Sequence, residues 1–187
     1  MADFQALKRI IIALVQEFQV KLGGSDDAIR LYYPPESLAR TLGADVNEAE
    51  LQALLQEFAA FARDDLGEVT ASGEDGLFCL YVPKAGVRWV REALPEPVFL
   101  KAFIAAIARH DCTIGELISL FRGFDPGAVC EAIDGGEFDY LLYFPAGEPD
   151  DFRYCVHFEG PHAIYHRFTP QDYAALGFPP GRAVDQA

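Results

Sequence analysis

Cations are scarce in this chain. Fifteen Lys and Arg stand against 29 Asp and Glu, a formal net charge of −14 over 187 residues. The deficit is spread evenly. Residues 1–95 hold 9 cations against 15 anions and the remainder 6 against 14, so the two parts stand at −6 and −8. Phosphate binding depends on clustered Lys and Arg that release counterions. A field of this sign repels duplex DNA and anionic lipid, and favours positively charged partners as well as plain solubility. Long apolar runs are also missing. Ile10-Ile-Ile-Ala-Leu-Val15 is followed by Gln16 and Glu17. It falls far short of the ~18 apolar residues of a membrane span. Its helical spacing marks a core-facing helix, not the apolar stretch of a signal peptide.

Cysteine is sparse and unpaired in pattern. Cys79, Cys112, Cys130 and Cys155 form no C-x-x-C and no tight framework. A chain of this length needs no disulfide staples, so they read as reduced thiols of a cytoplasmic protein. There is no phosphate-cradling G-x-x-x-x-G-K-[ST], no G-x-G-x-x-G, no G-x-S-x-G and no H-E-x-x-H. Those absences remove the enzyme classes with a readable local signature.

What is present is a substantial core. At 51% hydrophobic and 13% aromatic residues the chain can fold without help. Phe4, Leu7, Ile10, Leu14 and Phe18 recur at helical spacing, predicting a helix over 3–22 that Gly23-Gly24 ends. A short strand follows over 29–33, then a short helix over 36–42 with Gly43 as its cap. Asn47-Glu-Ala-Glu50 opens a long helix through a capping box. Its core face is read as Leu51, Leu54, Leu55, Phe58 and Phe61. Strands over 67–72 and 77–82 flank a Gly73–Gly76 turn, and a helix covers 86–93. This order is that of a winged helix-turn-helix, with 67–82 as the wing. The alternative is a helical domain with an unrelated hairpin. The long helix is the would-be recognition helix, yet it holds Glu48, Glu50, Glu57, Asp64 and Asp65 against Arg63 alone. Recognition helices present Arg, Lys, Asn or Gln. An acidic unit of this kind suits a protein partner.

After Pro95-Glu-Pro97 come two helices, the second opened by a Thr113–Glu116 capping box. Strands near 129–133, 138–144, 152–158 and 162–168 read as an antiparallel meander. Thr169-Pro170 starts a closing helix. The expected organisation is α+β. Residues 1–94 form a winged-helix-like half, 95–178 form helices plus sheet, and 179–187 form a disordered tail.

Three segments carry a resemblance: Arg30-Leu-Tyr-Tyr-Pro34, Gly136 to Phe144, and Phe158 to Thr169. They resemble an uncharacterised bacterial family, a domain of unknown function. The resemblance implies a cytosolic bacterial protein. It supplies no activity, cofactor or catalytic residue.

Candidate chemistry concentrates in the hairpin 152–168, which holds three of the four histidines. A Gly160-Pro161 turn would pair Glu159 with His162, Cys155 with His166 and His157 with Ile164. Cys155, His157 and His166 would then share a face with Glu159 and His162. That face offers a metal site for a small hydrolase-type enzyme. The competing reading keeps these histidines structural, with no cofactor. Tyr140, Tyr143, Tyr154 and Tyr165 are candidate ligand-binding aromatics. Asp150-Asp151 reads as turn chemistry, Glu137 and Asp139 as a same-face carboxylate pair, and Cys112 as a thiol at a helix N-terminus. The leading reading is a non-catalytic cytoplasmic binding module for a protein partner or small ligand, without nucleic acid or membrane. In a gel-shift assay at physiological salt, duplex DNA should stay unbound at micromolar protein. A sub-micromolar shift abolished by substitutions in the 47–63 helix would contradict this.

Overall fold

The computed structural model describes residues 2–134 and 136–184. The chain divides into two compact units, 1–97 and 98–187. The class is α+β, with helices and a hairpin first, then helices and an antiparallel meander.

In the first unit, α1 (Phe4–Lys21) begins at Asp3, whose side chain accepts from the Ala6 amide. β1 (Ile29–Tyr33) leads into α2 (Pro35–Leu42), which ends on Gly43 in the left-handed region. α3 (Glu48–Leu66) carries the expected capping box, with Asn47 and Glu50 bonded reciprocally. β2 (Thr70–Glu74) and β3 (Leu77–Val82) form a hairpin, and β1 joins it in the order β1-β3-β2, all antiparallel. The turn is tighter than the sequence implies. Gly73 and Glu74 remain in the strand, and the loop is Asp75-Gly76 alone, both at positive φ. That is the Asp-Gly turn whose twist matches the hairpin. α4 (Lys84–Ala93) then crosses the end of α3. A Cβ on Gly86 would lie 2.2 Å from the Leu66 carbonyl oxygen, so only glycine permits this approach. The buried Gln19 amide donates to the Val87 carbonyl at 2.7 Å and ties α1 to α4.

α3 departs from its expected face. Its buried residues are Leu51, Leu55, Phe58, Ala62 and Leu66. At 3.6 residues per turn these fall within an arc of about 80°. Leu54 is only half-buried and Phe61 is 42% exposed. Both lie outside the arc, beside the core. One helix cannot bury every apolar residue the spacing suggested, because Ala62 and Leu66 take the side opposite Phe61.

In the second unit, α5 (Val98–Ile107) and α6 (Ile114–Phe124) precede β4 (Val129–Ala132), β5 (Tyr140–Tyr143), β6 (Arg153–Glu159) and β7 (His162–Phe168). α7 (Pro170–Ala175) follows, and β8 (Arg182–Ala183) completes a sheet in the order β7-β6-β5-β4-β8. The tail expected to be disordered from 179 therefore adds a strand. Glu131 pairs with Ala183 and Ala132 with Arg182, and Arg182 meets Asp134 at 3.2 Å. Residues 185–187 lie outside the described residues. Phe99, Phe103, Phe121, Phe144 and Tyr154 interlock with centroids 4.7–6.1 Å apart, within the favourable range for aromatic pairs; Phe99–Phe103 and Phe121–Phe144 stack and the other contacts are edge-to-face. The other sheet face buries Ile133, Phe138, Leu141 and Cys155, with Phe168, Tyr173 and Phe178 packed on them.

Urea unfolding should separate the two faces of α3. Leu55→Ala should cost about 2–5 kcal/mol through its cavity, and Phe61→Ala about 1 kcal/mol or less. Equal costs would mean that Phe61 belongs to the core.

Candidate functional site

The 152–168 hairpin adopts the expected register. Cys155 pairs with His166, His157 with Ile164 and Glu159 with His162. The left-handed φ falls on Gly160 and not on Pro161, so the proline fits the two-residue turn. The side chains on this face have different surroundings, however. Cys155 is fully buried, and burial pushes its thiol up to about 12. A thiol so raised is no nucleophile at neutral pH. His166 packs its ring against Phe138 at 5.3 Å and Phe168 at 6.2 Å. His157 Nδ1 lies 3.0 Å from the Asp139 carboxylate, which also accepts from the Phe158 amide at 2.8 Å. His162 sits edge-on to His110 at 4.5 Å. Each histidine thus has its own neighbour. Among the described residues no group of three or more His, Cys, Asp or Glu could hold a metal ion.

Of the candidate tyrosines, Tyr154 and Tyr165 stack at 6.4 Å. Alternation along the strands puts Tyr140, Tyr154 and Tyr165 on one face and Tyr143 on the other. Tyr154 is fully buried and donates to Asp150 at 2.8 Å. Tyr165 packs on Phe103 at 4.9 Å, and Tyr140 on Phe158 at 6.1 Å. Arg153 lies 4.3 Å above the Tyr143 ring, whose hydroxyl is pushed up chiefly by burial. Glu137 and Asp139 precede β5, so they form no strand-mounted pair. Cys112 is buried, and desolvation raises its thiol, so the helix N-terminus does not activate it.

Sequence reasoning underrated Asp150. One oxygen accepts from the Phe152 amide at 2.9 Å, which is the expected turn chemistry. The other accepts from Tyr154 and from Arg167, the latter at 2.9 Å. The Arg167 side chain is 2% exposed and its guanidinium lies 4.1 Å over the Phe152 ring. This pair is 17 residues apart in sequence, and only the β6–β7 pairing brings it together.

The open feature lies on the first unit. An apolar groove of about 570 Å³ runs between the start of α1 and the outer side of α3, lined by Phe4, Leu54 and Phe61 with Asp3 and Glu57 among its walls. Phe4 and Phe61 approach at 5.7 Å. Beside the Leu54/Phe61 row runs a second, of Glu50, Glu57 and Asp64, all exposed. Both rows repeat every seven residues, so each stays on one line of the helix. That spacing was readable in the sequence, but it was absorbed into the core assignment. Lys8 shows what this edge can hold. Its ammonium pairs with Asp65 and lies 5.7 Å from the Phe61 ring and 5.9 Å from Trp89. A second hollow, of about 600 Å³, lies at the α2–α3 turn. Asn47 already accepts from the Ala49 and Glu50 amides there, so this helix start offers little to an anion.

Residues 4–177 match the model of a family described as "Domain of unknown function, E. rectale Gene description (DUF3877)", and the chain belongs to that family. No curated protein and no solved structure matches it.

The buried ion pair gives the clearest stability test in the second unit. Asp150→Ala removes the carboxylate from a desolvated guanidinium and should cost about 3–5 kcal/mol. Asp139→Ala, at a half-exposed carboxylate, should cost less, about 1 kcal/mol. Urea melts check both. A small effect at Asp150 would mean that Arg167 is held by packing alone.

Proposed function

We propose that this DUF3877 domain is a non-catalytic, cytoplasmic interaction module that receives a protein partner on the acidic helical unit. One observation carries the reading: α3 leaves Phe61 exposed at an open groove, with the half-buried Leu54 at the core margin on the groove wall. An exposed aromatic beside a second ring is a natural anchor for binding. The order α1-β1-α2-α3-β2-β3 and the β1-β3-β2 sheet support treating the unit as winged-helix-like. Its charge opposes a nucleic-acid role, because exposed Glu48, Glu50, Glu57 and Asp64 outnumber Arg63 on the helix that would meet DNA. The free, buried cysteines suit a reducing compartment. Among the described residues no helix is long and apolar enough to cross a membrane.

Site-specific photo-crosslinking in cells that naturally produce the protein tests this. Benzoylphenylalanine in place of Phe61 or Glu57 should give discrete protein adducts. The same group in place of the exposed Glu68 should not. Absence of groove adducts, or the same adducts from all three positions, would sink the proposal.

A further inference from the structure

We infer that the occupant of the α1–α3 groove is a cationic amphipathic helix of another protein, an inference that rests on the interaction reading above. The spacing of the two rows fits a helix. Leu54 and Phe61 lie one heptad apart, as do Glu50, Glu57 and Asp64. Along a helix that interval is about 10.5 Å. A second helix repeats its own anchors at the same interval, so two rows of it can match two rows of α3. An extended segment repeats same-side residues at about 6.7 Å and loses register with both rows. Ala53 and Ala60, exposed on the far side of the carboxylate row, leave room for a close helix approach.

Charge complementarity selects a cationic one. The apolar row is bordered by the carboxylate row, and Asp3 adds a further carboxylate at the groove. A second copy of this chain, itself at −14, would bring like charges together. Nucleic acid and anionic lipid meet the same repulsion. A helix with a leucine stripe flanked by Lys or Arg meets both rows favourably. Lys8 supplies the local precedent, since its ammonium is held between the Asp65 carboxylate and the Phe61 and Trp89 rings. A partner lysine reaching Glu57 beside Phe61 would find the same combination of carboxylate and ring face.

The test uses the full chain and two designed helical peptides with one shared leucine stripe, flanked by Lys in one and by Glu in the other. Binding is read by fluorescence anisotropy and by amide chemical-shift changes. The Lys peptide should bind on the order of tenfold tighter than the Glu peptide, as a few modest ion pairs would give. Shifts should centre on Phe4, Leu54 and Phe61. Phe61→Ser should weaken the Lys peptide about tenfold. Glu57→Gln, a surface change with little risk to folding, should weaken it severalfold while sparing the Glu peptide. Equal binding of both peptides would overturn the cationic assignment. So would Lys-peptide binding that survives Phe61→Ser and vanishes in high salt, which is diffuse attraction to an acidic surface. A concentration-dependent dimer dissolved by Phe61→Ser would overturn it in favour of a second copy. If neither peptide binds while crosslinks persist at position 61, the cationic-helix inference fails and the interaction reading stands.

Discussion

The first unit depends on the burial of one narrow stripe of α3. Leu51, Leu55, Phe58, Ala62 and Leu66 face α1, α2, β2 and α4, and those elements are held by that contact. At roughly 1.5–3 kcal/mol for each large apolar side chain removed from water, this stripe is a main source of the unit's stability. Its position is set at the helix end. Gly86 lets α4 press against the Leu66 carbonyl, and Gln52 bonds the Ala71 carbonyl of β2 at 3.1 Å. Once that rotation is fixed, Leu54 reaches only the margin of the core and Phe61 is left exposed. The groove follows from the packing, and the carboxylate row runs beside it.

The second unit uses its polar and aromatic residues differently. Its sheet is covered on both faces at the centre, which is why Tyr154, Cys155 and Val156 are buried in succession along β6. Residues that look chemical in the sequence are absorbed by that packing. Cys155 is sealed under Phe168, Tyr173 and Phe178, and His166 is one ring among several. Asp150 and Arg167 spend their charges on each other inside the same assembly. Buried pairs of this kind seldom add much net stability but punish the loss of either partner.

Much of this architecture is legible in the residues. The helix starts at Asn47, Thr113 and Thr169 are short-range capping events, and all three side chains accept the amides expected of them. The β6–β7 register follows from a two-residue turn and from alternation, again local facts. What escaped was set at long range. The rotation of α3 depends on α4 and β2, so periodicity alone could not separate Leu55 from Leu54. Gly73 and Glu74 looked like turn residues, but Asp75-Gly76 sufficed and the strand ran on. β8 exists because β4 leaves an edge for Arg182 and Ala183, not because those residues favour a strand. The Asp150–Arg167 pair needed the β6–β7 pairing before it could be seen.

On the proposed reading α3 has two working faces, one for folding and one for a cationic helix. A charge swap tests it most directly. Glu57→Lys in the full chain should weaken the Lys peptide and, in the same variant, restore a peptide whose facing lysine is exchanged for glutamate. Recovery to within about threefold of the original affinity, measured as a double-mutant cycle, is the predicted result. Independent, additive losses from the two exchanges would show that Glu57 and the peptide cation do not meet, and would rule out this mode of docking.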